Sequence, residues 1–239
     1  MQYYTVTENV NIAKSVYRMT LAGDTGKIAA AGQFINIKIE NLFLRRPISV
    51  CDYNEKEITI IYKVVGKGTE KLSEMPVGRK LDVLTGLGNG YDLAPSGEKP
   101  LLIGGGVGVP PLYNLAKKLL AAGKMVTVIL GFNTAEEVFY EDRFKALGAE
   151  VFVTTADGSY GTKGFVTAIK PEYSYVYACG PEPMLKAVYA AYEGSGQFSF
   201  EERMGCGFGA CMGCTCKTKY GNKRICKDGP VLKKEEIVW

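Results

Sequence analysis

Apolar residues recur with two periods along the chain, and the switch between them divides it. In the first third they alternate with polar residues; Ile35, Ile37 and Ile39 face one way on a single extended run. The alternation predicts strands at residues 2–9, 16–22, 33–40, 48–54, 57–65 and 80–84, with residues 53–56 as a polar turn between two of them. Six short strands joined by turns predict a closed antiparallel β barrel. Residues 92–100 have the composition of a linker. Beyond it, short apolar strands at 101–103, 125–130, 151–154, 175–179 and 198–202 alternate with helical patterns at 111–122, 135–147, 165–169 and 183–192. Strands that alternate with helices pair in parallel through crossovers, and apolar strands suit burial on both faces. The predicted fold is an α+β multidomain chain. A six-stranded antiparallel barrel spans residues 1–96, an α/β parallel-sheet nucleotide domain spans 97–200, and a small cysteine-rich segment spans 201–239.

Composition narrows the class. At 239 residues, 46% hydrophobic and 23% charged, the chain has an ordinary globular balance and room for two domains plus the last segment. No run approaches the roughly 18 apolar residues of a membrane span, so no membrane association is expected. The N-terminus lacks a basic start leading into an apolar core, so no signal peptide is expected. Five of the seven cysteines fall between 206 and 226, which points to metal ligation in a reducing, cytoplasmic compartment. The net charge of +4 is concentrated: residues 206–239 hold seven basic residues against three acidic ones, so residues 1–205 are neutral overall. That excess fits a solvated loop or partial compensation of an anionic cluster. Only Tyr220 interleaves with those lysines, so no nucleic-acid partner is expected.

Cys206, Cys211, Cys214 and Cys226 form a C-x4-C-x2-C…C pattern, the spacing of a plant-type 2Fe–2S site. Two irons bridged by two sulfides need four converging thiolates. A tight loop supplies three, and a second pass of the chain supplies the fourth. Gly205, Gly207, Gly209 and Gly213 suit a loop whose N–H groups approach the sulfurs. Zinc and disulfides are the alternatives. A zinc ribbon has two C-x2-C knuckles where this chain has one, and the chain has no histidine. Cysteines this closely spaced make poor disulfide geometry. The iron–sulfur reading ranks first, and Cys216 is left over.

Two stretches of the barrel suit phosphate. Arg46 stands at the entry to a strand, followed by Pro47, Ile48 and Ser49, and an arginine there can grip a phosphate bidentately. Gly66, Lys67, Gly68 and Thr69 form a glycine turn opening a helix. Each alone reads equally well as surface; together they suit a dinucleotide lying across the barrel. In the second domain, residues 104–108 place four glycines between a strand and a helix, where such sheets bind pyrophosphate, although the G-x-G-x-x-G fingerprint is absent. Cys179, Gly180, Pro181 and Met184 follow a later strand, at the end where parallel sheets form their ligand crevice. Cys179 alone also reads as a small buried residue, and residues 157–164 as a third crevice loop or a mere connection.

These motifs in this order resemble the ferredoxin–NADP reductase superfamily. With the segments 202–211 and 226–231, the chain resembles the electron-transfer subunits of class B dihydroorotate dehydrogenases over essentially its whole length. The resemblance implies that the barrel binds FAD, with Arg46 on the pyrophosphate and Ser49 near the flavin ring. Pro47, Ile48, Lys63, Val64, Val65, Gly68 and Thr69 would line the cofactor. It implies NAD(H) as an exchangeable co-substrate against Gly105, Gly106, Gly108, Cys179, Gly180, Pro181 and Met184. It implies an FMN-containing dihydroorotate dehydrogenase catalytic subunit as partner, in a heterotetramer of two plus two, serving pyrimidine biosynthesis. Where the superfamily has an aromatic residue before the serine, this chain has Ile48, so flavin stacking is assigned to Tyr62. Residues 130–134 hold neither an acid for an adenosine ribose nor an arginine for a 2′-phosphate, so NAD rather than NADP follows from the resemblance and the missing phosphate partner.

Electron counting orders the cofactors. Nicotinamide exchanges two electrons, an iron–sulfur cluster one, and a flavin between them splits the pair. Subunits of a ferredoxin–NADP transhydrogenase or a sulfhydrogenase remain as alternatives; an aspartate expected at the Cys206 position disfavours the first. A zinc-stabilised binding module is the alternative from another class.

Overall fold

A computed structural model describes residues 2–239; Met1, where the first expected domain begins, lies outside the described residues. Strands β1 (Tyr3–Ala13), β2 (Val16–Ala22), β3 (Phe34–Ile37), β4 (Arg46–Tyr53) and β5 (Glu57–Lys63) come first. Helix α1 (Lys67–Ser73) and strand β6 (Lys80–Leu87) complete a barrel closed in the order β1-β2-β5-β4-β3-β6. Tyr4, Met19, Leu21, Ile35, Ile37, Ile58 and Ile60 fill it. The register of β3 on β4 sorts their residues between two faces: Phe34 opposes Ser49, Ile35 opposes Ile48, Asn36 opposes Pro47 and Ile37 opposes Arg46. Opposed residues share a face of the sheet. Ile35 and Ile37 point into the barrel, so Phe34 and Asn36 lie on its outer face with Pro47 and Ser49.

The second sheet comprises β7 (Pro100–Gly105), β8 (Thr127–Phe132), β9 (Glu150–Thr155), β10 (Thr162–Lys163), β11 (Tyr175–Cys179), β12 (Gly196–Ser199) and β15 (Val231–Lys233). Its strand order is β10-β9-β8-β7-β11-β12-β15. Helices α2 (Pro110–Ala121), α3 (Glu141–Ala146) and α4 (Glu182–Ala191) connect its strands. All pairs are parallel except β12 with β15. The chain departs from β7 in both directions, to β8 on one side and β11 on the other. The carboxyl ends of β7 and β11 therefore form the switch point where such sheets hold ligands.

The structure corrects three sequence-based elements. The helix expected over 135–147 is broken into a 3₁₀ turn at Ala135–Glu137 and α3, because Val138 is extended and Tyr140 takes a left-handed φ of 68°. Phe139 is buried there against Phe132, and Tyr140 packs on Tyr113. The last strand ends at Ser199 rather than 202: the Phe200 N–H still donates to Pro230 O at 2.9 Å, but proline has no N–H to return and the ladder stops there. Finally, the C-terminal segment contributes β15 to the edge of the nucleotide sheet, beside its own hairpin of β13 (Thr215–Thr218) and β14 (Gly221–Arg224).

The barrel and the sheet share a core. Val16, Cys51 and Ile61 of the barrel pack in one apolar cluster with α2 and β8. Around it, Asp52 accepts from Asn114 Nδ2 and Lys117 Nζ, both at 2.8 Å, and Lys63 pairs with Glu137 at 2.7 Å. The linker is pinned as well: Asp92 N–H donates to Gln197 Oε1, and Gln197 Nε2 returns a bond to Asp92 O, each at 2.8 Å.

Candidate functional site

The first site forms where β4 begins and α1 begins. Arg46 is half-buried, and its guanidinium folds over the first turn of α1: a β-carbon on Gly68 would lie 2.1 Å from Arg46 Nε. Nη1 donates to Leu44 O. The Thr69 hydroxyl closes the turn, accepting from Val65 N–H at 2.9 Å and donating to Gly66 O at 3.0 Å. A fixed guanidinium beside the free N–H groups of a helix start is an arrangement complementary to phosphate oxygens. With glycine here, the guanidinium occupies the volume a side chain would take.

The neighbouring residues divide by role. Val65 is exposed, and Val64 N–H donates to Ser15 O at 2.8 Å. The Lys63 ammonium is held by Glu137. Ile48 packs partly against the barrel core, while Ser49 and Pro47 are half-exposed on the outer face. Tyr62 is a correction. Its ring is 2% exposed inside the barrel, stacks on Tyr17 at 5.9 Å and donates to Asn9 Oδ1 at 2.9 Å. It presents no face on which a flavin could stack.

The second site lies at the switch point. Gly104 opposes Cys179 across β7 and β11, which brings the two crevice loops into contact. A β-carbon on Gly105 would meet Met184 Sδ at 2.4 Å, and one on Gly108 would meet Cys179 O at 2.3 Å. Gly180 likewise approaches Met184 Cε and Gly105 N, and Pro181 borders Gly105. Gly106, with φ +51°, faces open space. The residues singled out in the sequence therefore converge: Gly105, Gly108 and Gly180 let the two loops pack on each other, and Gly106 alone leaves bare backbone facing open space. Burial pushes the Cys179 thiol up to about 12, so it is a neutral group in this wall.

The third site is the cysteine loop, and its thiols fall into two pairs. Cys206 N–H approaches Cys211 Sγ at 3.4 Å, and Cys226 N–H approaches Cys214 Sγ at 3.3 Å. Cys214 and Cys226 are buried in the apolar cluster that contains Phe34, Met204 and Ile225. Cys206 and Cys211 sit on the solvent side, with Phe208 and Met212 exposed beside them. Burial opposes ionisation of Cys206, but N–H groups of Phe208, Cys211 and Ala210 outweigh it and bring the thiol down to about 6. Burial and then the Cys214 thiol push Cys226 up to about 12; a bound metal would reverse that, since coordination deprotonates a thiol outright. Among the described residues no three Cys, Asp or Glu side chains already close around a point the size of one ion. Four thiols gathered as two pairs on one loop suit a centre of two irons better than a single zinc. Positive φ at Gly207, Gly209 and Met212 curls the loop so that its amides turn toward the sulfurs. Cys216 lies apart: it packs from β13 against the apolar cluster, where burial raises its pKa, and acts there as a small hydrophobe.

Sequence reasoning missed what joins the first and third sites. Phe34 and Asn36 carry no motif; only the barrel register puts them on the face that the cysteine loop covers. It also missed Glu137, an acid just past β8 whose carboxylate is already engaged by Lys63 and Asn133.

Known proteins are similar to this chain over nearly its whole length. Residues 201–238 match the iron-sulfur cluster binding domain of dihydroorotate dehydrogenase B, and residues 102–190 match the oxidoreductase NAD-binding domain. The chain is 47% identical to the dihydroorotate dehydrogenase B (NAD(+)) electron transfer subunit of Bacillus pumilus, covering 98% of this chain and 97% of that one. It is 45% identical to the subunit of the same name from Fusobacterium nucleatum, covering 98% and 96%. Among solved structures, a chain of the NADH-dependent reduced ferredoxin-NADP oxidoreductase superposes with a TM-score of 0.89 at 31% identity, covering 99% of this chain and 90% of that one. The FAD/NAD binding domain of a Vibrio cholerae nitric oxide dioxygenase shares the fold at a TM-score of 0.68 and 22% identity, covering 80% and 91%. Near-complete coverage at such identity, with the cysteine segment matched by its own domain family, makes this chain a member of the dihydroorotate dehydrogenase B (NAD(+)) electron transfer subunit family.

Proposed function

We propose that this chain carries electrons between NAD(H) and the FMN of a separate dihydroorotate dehydrogenase catalytic subunit, in a cytoplasmic heterotetramer of two plus two. FAD lies on the barrel of residues 1–96, NAD(H) in the crevice of residues 97–200, and a 2Fe–2S cluster on Cys206, Cys211, Cys214 and Cys226 within residues 201–239. Nicotinamide exchanges electrons as a pair, the cluster passes them singly, and the flavin converts between the two. The protein's own groups bind and orient. Arg46 and the start of α1 neutralise the FAD pyrophosphate, with Pro47, Ile48, Ser49, residues 63–65, Gly68 and Thr69 around the cofactor. Gly105, Gly106 and Gly108, with Cys179, Gly180, Pro181 and Met184, admit the dinucleotide against bare backbone. No side chain has to move a proton for hydride to pass.

One observation carries this reading. The buried thiols Cys214 and Cys226 share an apolar cluster with Phe34, which opposes Ser49 on the adjacent strand, while Cys206 and Cys211 lie toward solvent. That supports a cluster with one side toward the flavin strand and the other toward a partner. The test is purification with and without the catalytic subunit. Flavin and cluster absorption, with dihydroorotate-dependent reduction of NAD only in the complex, is expected. A colourless, zinc-containing protein would sink the reading. Loaded protein that exchanges electrons with ferredoxin and never with the dihydroorotate dehydrogenase subunit would favour the transhydrogenase alternative, whose solved relative shares the whole fold.

A further inference from the structure

Asn36 is 1% exposed on the outer face of β3, between the cysteine loop and the flavin strand. Its Oδ1 has no hydrogen-bond partner. Its Nδ2 is turned to Gly207, so closely that a β-carbon there would lie 2.2 Å away. Gly207 follows the ligand Cys206 directly and has φ +78°. An unmet buried polar atom costs about 1–3 kcal/mol, and a leucine of similar volume would fill this position without that cost. The remainder of the loop is held from the other side, where Arg224 Nη1 donates to Gly209 O at 2.7 Å and Lys227 packs on Gly209. Asn36 is thus where the barrel packs on the loop, and across β3 and β4 it opposes Pro47.

We propose that Asn36 is a positioning residue for electron transfer: packed against Gly207, its carboxamide holds the turn after Cys206 in the conformation that points the loop's N–H groups at the cluster. The inference rests on the cluster and FAD assignments above. N–H groups directed at an iron–sulfur centre favour its reduced, more negative form and raise its potential. Loosening the turn that orients them makes the cluster harder to reduce without touching the nicotinamide crevice.

The test uses the loaded chain in complex with its catalytic subunit. In Asn36→Leu the equilibrium for one-electron reduction of the cluster is expected to fall about tenfold, which is about 59 mV. The electron paramagnetic resonance signal of the reduced cluster changes, and bleaching of the flavin by NADH keeps its wild-type rate. Asn36→Ser is polar, uncharged and too small to reach Gly207, so it shifts the potential in the same direction and keeps the question measurable if leucine impairs folding. Full iron content with wild-type potential and signal in both variants would overturn this inference alone. Wild-type protein that holds neither iron nor flavin would overturn the functional reading and this inference with it.

Discussion

Gly68→Ala separates fold stability from cofactor binding, because the two should move in opposite directions. The new methyl would lie 2.1 Å from Arg46 Nε and 2.7 Å from its Cζ, so the guanidinium must swing away from α1. It can do so, since it is the far end of a flexible side chain that reaches solvent. The backbone does not resist: Gly68 is helical and buried in α1, and alanine suits a helix better than glycine. The cofactor-free protein is therefore expected to be as stable as wild type or up to about 1 kcal/mol more stable, which for a chain of this size is about 2–4 °C in Tm. FAD binding loses a charge-assisted hydrogen bond of about 1.5–3 kcal/mol, which is about ten- to a hundredfold in Kd. Flavin fluorescence titration of the cofactor-free protein measures the second effect, and a melting curve the first. Both Gly68→Ala and Arg46→Ala act through one guanidinium, so the double variant should bind FAD no more weakly than Arg46→Ala alone. An affinity within roughly threefold of wild type in Gly68→Ala would refute the cradle, as would full additivity in the double variant.

Three further outcomes are expected at the other sites. Cys206→Ser or Cys226→Ser should purify without the iron–sulfur chromophore, whereas Cys216→Ser, whose thiol packs in the apolar cluster, should keep full iron and sulfide; loss of iron in the last would show that the wrong four ligands were chosen. Tyr62→Phe removes the bond to Asn9 and should lower stability by about 1 kcal/mol while leaving FAD affinity unchanged; a tenfold weaker affinity would return Tyr62 to the flavin site. Burial raises the Glu137 carboxyl, but Lys63 and Asn133 outweigh it and hold its pKa below the usual value. Its contribution is therefore present above the unfolded pKa of about 4.3 and lost as pH falls through the folded value. In Lys63→Gln, stability at neutral pH should drop and its dependence on pH across that acidic window should flatten, as read by denaturant titrations at several pH values; an unaltered pH dependence would exclude the pair as a linked group.

Much of this protein was legible in its sequence, and the reason is local physics. Period-two alternation gave six barrel strands, because a residue's face in a strand depends on its own position alone. Alternating strands and helices gave the parallel sheet for the same reason. The cysteine spacing carried the cluster assignment because a tight loop must deliver three ligands within a few residues. The helix expected over 135–147 failed because Phe139 and Tyr140 are committed to distant aromatic partners, which no local pattern reveals.

What only the tertiary structure decided is how the three sites meet. Closure of the barrel and docking of the last segment decided that the face bearing Tyr62 is interior and that the face bearing Phe34 and Asn36 is covered by the cysteine loop. A shift of one residue would exchange those faces, and nothing in a single strand's sequence specifies its partner's register. Likewise Gly68 and Gly207 read as turn formers in the chain, but Arg46 and Asn36, residues far away in sequence, occupy the space a side chain there would need. The sequence by itself determined the chemistry of each site; the packing of one element on another decided which side chains stand between them.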